Sequence, residues 1–381
     1  MPRNTHSLEN NLKQVRTKAG LTQGQLAASA RISRQAYSAL ESGNANPSTE
    51  VALRLAKVLR KTVESLFYIT ERPQIVIEAE LVSGSAFETL SGATGQRARL
   101  FRVGSKMFAR PLSGPQNTRH TVVAAEGLVV SQANTGRQIT VQPFDSEDVE
   151  SPTLTMLGCD PAAGLLESGL RSRGIVLVAA EESSGAALLG LANGEAHIAG
   201  CHLLDETTGA YNRSWVEQLV PFPCTLVTFA SWQQGLILPY RNPKNVSSVA
   251  DLANPELRLI NRQVGSGSRA LFDRTLAAAG IPTSLVTGYH REESGHMAVA
   301  VAVASGIADV GIGVKAAAVA MGLDFVPLQE ERYDLVIPQH FLSHEPVQAL
   351  LDLLRHPVLH RKVESLGGYD TSNMGLQPSF T

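Results

Sequence analysis

The chain has 381 residues, enough for two or three domains, and 43% of them are hydrophobic, which is enough to build folded cores. Basic and acidic side chains nearly balance at 33 and 35, but residues 1–72 hold eleven basic against five acidic ones. The remainder holds 22 basic against 30 acidic side chains. No apolar run approaches the ~20 residues of a membrane helix, and the segment MPRNTHSLENN lacks the apolar core of a signal peptide. A cytoplasmic protein without a membrane partner is therefore expected.

The cysteines, Cys159, Cys201 and Cys224, lack the CxxC spacing and the clustered histidines of a zinc site. Free thiols are expected, with neither a disulfide framework, nor a metal site, nor a cofactor. A nucleophilic thiol at Cys201-His202 would have only Asp205 as a nearby orienting acid, so no catalytic residue is predicted. The protein is not expected to be an enzyme.

The segment from Leu21 to Pro47, LTQGQLAASARISRQAYSALESGNANP, predicts two short amphipathic helices around a tight turn. Thr22 suits the N-cap of the first helix, and Ser33 opens the second, where Tyr37 faces inward.

Arg34, Gln35 and Ser38 remain on the outer face of that second helix. They are long or hydrogen-bonding groups that suit base edges and phosphates. Periodicity alone also allows an ordinary helical hairpin with a polar face, but a basic head on an acidic chain favours phosphate binding.

The same segment resembles the Cro/C1-type (XRE) helix-turn-helix family over about the first seventy residues. The matching positions are Thr22-Gln23, Leu26-Ala27, Ser33, Ser38, Glu41, Gly43 and Pro47. The resemblance implies binding to a double-stranded DNA operator, generally as a dimer on half-sites roughly 34 Å apart. By position, Gln23 and Arg34 would anchor phosphates, Gln35 and Ser38 would face bases, and Asn44 would touch the backbone. The full implied set is Gln23, Ser33, Arg34, Gln35, Tyr37, Ser38 and Asn44.

Three regions follow one another along the chain. Helical patterns from Leu8 to about Phe67 predict an all-α head over residues 1–72, ending near Arg72-Pro73. Short β-type runs broken by glycine-rich turns predict a small β-rich module over 73–150, which ends in an acidic linker. From 151 to 381, repeated strand-loop-helix units predict an α/β domain with a mostly parallel sheet and helices on both faces.

Several loops of this α/β region place small or polar residues at a helix N-terminus, where free N–H groups and the helix dipole favour an anion. They are Cys159-Asp160, Ser183-Ser184, Gly265 to Arg269, and Ser294 to His296. The loop GSGSR is the strongest of them, because its glycines allow close approach and Arg269 adds a planar positive charge.

The runs LRLINRQVGSGSRALFDRTLAAAGI, GHMAVAVAVASGIADVGIGVKAAA and LDFVPLQEERYDLVIP resemble the periplasmic-binding-protein-like domain related to molybdate-binding proteins. The likeness covers about Thr153 to Leu354 and implies a type II fold of two lobes with the ligand between them. Lobe 1 would hold about 151–235 and 336–381, and lobe 2 about 240–330, with ILPY and LVIP as hinge candidates. The implied ligand residues are Cys159, Asp160, Ser183, Ser184, Tyr240, Ser266, Ser268, Arg269, Ser294 and His296.

The two resemblances together imply a ligand-responsive DNA-binding regulator that works as a homodimer or a higher homo-oligomer. Its effector would be a molybdate- or tungstate-type oxyanion or a charged organic metabolite. Asp160 is an unfavourable neighbour for a dianion unless it points away, binds a cationic group or is neutralised by Arg269, so both effector classes stay open. The alternatives are a non-sensing oligomerisation domain and an enzyme acting on an anionic metabolite through Asp160, His296 or Cys201.

Overall fold

The computed structural model describes residues 6–71, 75–83, 94–112, 124–133, 136–145 and 151–378. The chain forms two compact units, Met1–Ile75 and Val76–Thr381. The expected boundary at Arg72-Pro73 and most of the acidic linker, at 146–150, lie outside the described residues.

The described part of the first unit holds a bundle of short helices and a two-stranded antiparallel sheet. The helices are α1 (Leu12–Lys18), α2 (Gln23–Ser29), α3 (Arg34–Glu41), α4 (Thr49–Leu59) and α5 (Val63–Leu66). A hydroxyl accepts a backbone N–H at the start of four of them, from the side chains of Thr22, Ser33, Ser48 and Thr62. Leu26, Tyr37 and Leu55 are fully buried in one core.

The segment around Leu8 is a strand and not the helix that the sequence predicts. Strand β1 (His6–Asn10) pairs along its whole length with β2 (Phe67–Glu71), which follows α5 directly. The backbone groups of β1 are satisfied by this distant partner, which no local pattern reveals.

The second unit begins with a closed five-stranded barrel, so the expected small β-rich module is confirmed. Its strands run in the spatial order β3-β5-β4-β6-β7. Their bounds are β3 (Ile77–Leu81), β4 (Arg97–Val103), β5 (Lys106–Pro111), β6 (Gly127–Gln132) and β7 (Gln138–Pro143). Leu81, Val129 and Val141 lie in the barrel core, where closure leaves no free strand edge.

The rest of the second unit is an α/β sheet in the order β13-β12-β14-β11-β15-β10-β8-β9, with β16 paired to β11. Its strands are β8 (Thr153–Leu157), β9 (Val176–Ala180), β10 (Ile198–Cys201), β11 (Cys224–Leu238), β12 (Leu259–Arg262), β13 (Glu292–Glu293), β14 (Val310–Val314), β15 (Asp324–Pro338) and β16 (Tyr369–Asp370). Its helices are α6 (Ala163–Arg171), α7 (Ser184–Ala192), α8 (Arg213–Leu219), α9 (Gly267–Ala278), α10 (His296–Ala304), α11 (Lys315–Ala320), α12 (Glu345–Leu354) and α13 (Pro357–Glu364). The two-lobed α/β architecture is confirmed.

The sheet is parallel only within each lobe. In lobe 1, β8 pairs parallel with β9 and β10, and in lobe 2, β12 pairs parallel with β13 and β14. The long strands β11 and β15 join the lobes and run antiparallel to each other.

The chain crosses between the lobes inside β11 and β15. Thr225 to Thr228 pair with the β15 segment beside β10, whereas Gln234 to Ile237 also pair with β14. Between these two segments, the pairing of β11 with β15 has register irregularities at Thr228/Ala230 and at Gln234/Gly235. One unbroken strand, β11, extends through both lobes and is already paired with lobe 2 at Gln234. The chain therefore crosses before it reaches the ILPY segment that was named as a hinge candidate.

The barrel packs against lobe 1. Glu195 is buried, and its carboxylate lies 2.6 Å from Arg137 and accepts the backbone N–H of Ser83 at 3.0 Å. Phe101 and Phe108 of the barrel share an apolar cluster with Val178 of β9. Within the described residues, no helix is long and apolar enough to cross a membrane.

Candidate functional site

Helix α3 presents a polar face in the first unit. The Ser33 hydroxyl caps it by accepting the N–H of Ala36 at 3.0 Å. The side chains of Arg34, Gln35 and Ser38 are exposed, and so is Asn44 in the loop that follows. Exposure is what contact with a groove or a phosphate requires, so these residues remain the predicted DNA contacts.

Tyr37 is unable to take that role, and the sequence-based inclusion of Tyr37 among the contacts is wrong. Its side chain is fully buried in the helical core, because the i+4 position from Ser33 faces inward.

Gln23 is half-buried, and its amide donates to Glu41 Oε1 at 3.0 Å. Glu41 also receives two hydrogen bonds from the Arg16 guanidinium, at 2.7 and 2.9 Å. These hydrogen bonds outweigh burial and lower the pKa of Glu41 to about 2. The network fixes α1, α2 and α3 relative to one another.

In the second unit, the carboxyl ends of strands from both lobes meet at one place. Cys159 and Asp160 follow β8, and His202 follows β10, all in lobe 1. Arg262 ends β12 and His296 begins α10, both in lobe 2. All five side chains are buried, which matches the usual ligand position in α/β sheets.

Cys159, His202 and His296 form the centre of this site. The Sγ atom of Cys159 lies 3.7 Å from His202 Nε2 and 3.6 Å from His296 Nε2. The expectation of no clustered thiol and imidazole groups is therefore wrong in three dimensions. The three residues are far apart in sequence, so spacing gives no sign of the cluster.

The charge on His202 is set by its partners. Burial lowers the pKa of this histidine, but hydrogen bonds with Cys159 and Glu331 outweigh burial and raise it to about 9. The Glu331 carboxylate lies 2.9 Å from His202 Nδ1. His296 is the opposite case, since burial and the charges of Arg262 and His202 hold its pKa well below the usual range.

The lobes touch each other at this site, so the structure is a closed form. A Cβ atom on Gly267, at the start of α9 in lobe 2, would lie 2.6 Å from the ring of His202 in lobe 1. Only a glycine therefore allows this approach. On the crossing strands, the Trp232 ring lies 5.1 Å from the His202 ring and 5.6 Å from the His296 ring.

Tyr333 fixes the loop that carries Cys159. A Cβ atom on Gly158 would lie 2.3 Å from the Tyr333 hydroxyl, and one on Gly200 would lie 1.7 Å from it. Both glycines therefore let the tyrosine ring pack beneath the cluster, where it lies 4.7 Å from the Trp232 ring.

We expect Gly158→Ala to lower the free energy of unfolding by about 1–3 kcal/mol, because the added methyl group overlaps the Tyr333 hydroxyl. Adding Tyr333→Phe is expected to recover most of this loss, since it removes the overlapping oxygen. Urea unfolding followed by tryptophan fluorescence measures both variants against Tyr333→Phe alone. A double variant as unstable as Gly158→Ala would contradict this packing.

Arg262 carries the free positive charge of the site. Its Nε atom donates to Gln263, but Nη1 and Nη2 are buried and have no hydrogen-bond partner among the described residues. A buried guanidinium with two free donors matches a carboxylate or phosphate-type oxyanion. The sequence places Arg262 at the end of a strand before a glycine-rich loop, which is the signal that could have identified it.

Arg269 is already paired with carboxylates of lobe 2, so its sequence-based role as the anion ligand is not supported in this closed form. Its guanidinium lies 2.7 Å from Glu292 and 3.1 Å from Asp273, and stacks on the Tyr289 ring at 4.2 Å. Two carboxylates already neutralise its charge.

Asp160 points at lobe 1 groups and is not neutralised by Arg269. Its Oδ1 atom accepts from the Tyr369 hydroxyl at 2.6 Å and from the Ala162 N–H at 2.7 Å. Burial outweighs these hydrogen bonds and raises the pKa of Asp160 to about 6. Its Oδ2 atom, the Trp232 N–H and Gln234 Oε1 are buried without a partner in the described part of the chain.

The four predicted serines of the buried loops are engaged in holding those loops. Ser183 and Ser266 cap α7 and α9, Ser184 accepts the N–H of His202 at 3.2 Å, and Ser268 accepts from Gln234 at 2.9 Å. Ser184 thereby contacts the cluster, and all four remain predicted ligand residues.

Tyr240 and Ser294 lie outside the cluster. Tyr240 is 66% exposed and packs on Arg241, because the chain crosses between the lobes before reaching it. Ser294 is exposed one residue ahead of the Gly295 N-cap of α10. Their sequence-based assignment to the ligand site is not supported in this closed form.

Taken together, the chain is of the class that joins a helix-turn-helix domain to a two-lobed binding domain. Comparison with known families agrees. The helix-turn-helix family model matches residues 12–66, and the PBP superfamily domain model matches residues 167–355. The chain therefore carries a helix-turn-helix region over residues 12–66 and a PBP-like domain over residues 167–355.

Two curated relatives resemble parts of the chain. The uncharacterized protein YvgK of Bacillus subtilis is 34% identical over 189 residues, which are 49% of this chain and 61% of that protein. The chain thus spans less than two thirds of YvgK. An uncharacterized protein of Clostridium pasteurianum, named for the 5′ region of a ferredoxin 2Fe-2S gene, is 38% identical over 106 residues, 28% of this chain and 94% of the relative.

Solved structures similar to the chain include a phosphate-bound transporter substrate-binding protein of Clostridium perfringens, at 12% identity and a TM-score of 0.43, covering 60% of this chain and 100% of that one. The sulfate-binding protein SubI of Mycobacterium tuberculosis has 13% identity and a TM-score of 0.44, and the match covers 57% of this chain and 86% of SubI. The CcmR regulatory domain of Synechocystis, in complex with 2-PG, has 13% identity and a TM-score of 0.41, and the match covers 53% of this chain and 95% of the CcmR domain.

Proposed function

We propose that this protein is a ligand-responsive transcription regulator that binds double-stranded DNA through α3 and a small anionic effector between its two lobes. The observation that carries the proposal is the guanidinium of Arg262. It is fully buried where the two lobes meet, and its terminal nitrogens have no partner among the described residues. A buried charge of this kind costs several kcal/mol unless a counter-charge reaches it.

The neighbouring groups favour an organic anion over a simple oxyanion. Asp160 Oδ2 needs a hydrogen-bond donor from the ligand or a proton of its own, and Gln234 Oε1 needs a donor from the ligand. Molybdate-type dianions offer only oxygen acceptors, whereas a metabolite with a carboxylate and hydroxyl or amino groups offers both kinds. A charged metabolite therefore fits Arg262 and Asp160 together.

The effector would act by linkage. A ligand that prefers the closed lobes changes DNA affinity by its differential binding energy, typically about 1–3 kcal/mol. The barrel packs on lobe 1 through Glu195 and Arg137, which makes it the proposed route for the signal. A dimer with two α3 helices about one DNA turn apart is part of the proposal.

We expect Gln35→Ala to relax the preference at one base position of the operator by about 1–3 kcal/mol, since its exposed amide is suited to reading a base edge. Arg34→Ala should instead weaken binding to all duplexes and flatten its salt dependence. The duplexes come from selection on a random-sequence library, and fluorescence anisotropy measures binding.

Arg54→Ala is the matched control, because it also removes an exposed arginine but from an ion pair with Glu50 on α4. Equal effects of Arg34→Ala and Arg54→Ala on affinity would place the DNA contact elsewhere.

The effector proposal is tested by thermal melts of the full chain with molybdate, tungstate, sulfate, phosphate and a panel of charged metabolites. A ligand at a hundred times its dissociation constant should add about 2.7 kcal/mol. A shift with organic anions that Asp160→Ala abolishes supports the proposed class. A selective molybdate or tungstate shift would overturn it, and the absence of any shift would favour a non-sensing oligomerisation domain.

A further inference from the structure

We infer that Cys159, His202 and His296 form a binding site for one transition-metal ion of the zinc type. One potential ligand atom from each residue, Sγ or an imidazole nitrogen, lies within 4.8 Å of the other two. The relative exposures are 3%, 0% and 0%, so the group is shielded from solvent. The inference concerns this cluster alone and does not require that the chain binds DNA.

The two sulfur–nitrogen distances match a tetrahedral ion. Zinc binds thiolate sulfur at about 2.3 Å and imidazole nitrogen at about 2.0–2.1 Å, so tetrahedral angles place sulfur about 3.5 Å from each nitrogen. The two observed separations, 3.6 Å to His296 Nε2 and 3.7 Å to His202 Nε2, agree with this value within 0.2 Å. Ordinary van der Waals packing of three side chains does not require that both Nε2 atoms face the same sulfur.

A carboxylate orients one of the two imidazoles. The Glu331 carboxylate lies 2.9 Å from His202 Nδ1 and is itself 2% exposed. Metal-bound histidines almost always give their second ring nitrogen to such a partner, because this fixes the tautomer and turns the other nitrogen toward the metal. The His202 Nδ1–H donating to Glu331 leaves Nε2 directed at Cys159.

The donor set selects the kind of ion. One thiolate and two imidazoles suit Zn²⁺, Co²⁺ or Cu⁺ and do not suit Mg²⁺ or Ca²⁺, which need oxygen ligands. Three protein donors leave a fourth position for water or for a donor atom of the effector. His296 Nδ1 is buried with no partner in the described ranges, so the contact of Nε2 with the Cys159 sulfur is the one polar contact found for this ring there.

The ion would join the two lobes. Cys159 and His202 belong to lobe 1, and His296 opens the first turn of α10 in lobe 2. Metal binding would therefore hold the domain closed independently of the contacts that Arg262 makes with an anion.

The test is a titration of the reduced, chelator-stripped full chain with Co²⁺. We expect about one equivalent to bind, with thiolate-to-cobalt charge-transfer absorption in the near ultraviolet, tetrahedral d–d bands in the visible, and quenching of tryptophan fluorescence, since Trp232 lies against both histidine rings. Zn²⁺ should displace the Co²⁺ and abolish these bands.

Cys159→Ser should lose the charge-transfer band, and His296→Gln should lose tight binding while keeping a folded circular dichroism spectrum. Cys224→Ser is the matched control, because it removes a thiol outside the cluster and should keep the full signal. Two variants in different lobes keep the test decisive if one of them fails to fold.

Co²⁺ binding without a thiolate band, or binding that survives both cluster variants, would overturn the metal site. So would the absence of binding to the wild-type chain. None of these outcomes touches the proposed regulator, whose DNA binding and effector-dependent melting are separate measurements.

Discussion

Replacing Arg262 with Met is expected to weaken binding of the anionic effector by at least about 100-fold while the effector-free protein stays as stable as before or becomes more stable. Each hydrogen bond to a charged group contributes about 1.5–3 kcal/mol, and about 1.4 kcal/mol is a factor of ten. Two guanidinium nitrogens are available for such bonds. A methionine side chain is unbranched and of similar length to that of arginine, and it buries no unpaired charge in the effector-free protein.

The measurement combines calorimetric titration with thermal melting, using whichever compound of the panel stabilises the wild-type chain. Arg269→Met is the matched control. It removes the ion pairs with Glu292 and Asp273 and should lower stability, but it leaves effector affinity essentially unchanged. If Arg269→Met abolished binding and Arg262→Met did not, the assignment of the anion-binding arginine would be reversed.

Replacing Glu41 with Ala is expected to cost the helix-turn-helix unit about 1–3 kcal/mol of stability and thereby to weaken DNA binding. The Glu41 side chain is 6% exposed and that of Arg16 is 14% exposed. Removing Glu41 leaves the half-buried Arg16 charge with only the Leu21 carbonyl as an acceptor and the Gln23 amide without its acceptor. Amide hydrogen exchange read peptide by peptide measures the effect, because both tryptophans, Trp215 and Trp232, lie in the second unit.

Glu50→Ala provides the surface control. Its i,i+4 partner on α4 is Arg54, and the 72% exposed Glu50 side chain should contribute at most about 0.5 kcal/mol.

The effect of Glu41→Ala on stability should also depend on pH. The pKa of Glu41 falls from 4.5 to about 2 on folding, so its contribution is complete above pH 4.5 and is lost as the pH falls toward 2. If the difference in unfolding free energy between wild type and Glu41→Ala stayed constant over this pH range, the ion pair would be contradicted.

The order of the domains was predictable because its signals are local. Thr22 and Ser33 mark helix starts through hydrogen bonds to residues three positions away, and Leu26 and Tyr37 follow the helical period. Strand β1 was missed since its partner lies some sixty residues away in the chain.

The candidate site was predictable only in part. Cys159 and His296 follow the general tendency of helix N-termini and strand ends to bind ligands. Which arginine faces them was not predictable, because Arg262 and Arg269 flank the same glycine-rich loop and only packing separates them. Arg269 reaches Asp273 and Glu292, and Arg262 is left beside His296.

The sequence by itself determined the classes of the parts: a capped helix-turn-helix, a small β-rich module, and a chain of strand-loop-helix units that resembles a two-lobed binding domain. Only the tertiary structure decided the chemistry of the cleft. Strand order in lobe 1 brings together the carboxyl ends of β8 and β10, and the closure of the lobes adds His296 from lobe 2. Helix caps and periodicity act over a few residues, whereas the placement of Cys159, His202 and His296 depends on contacts between residues up to 137 positions apart.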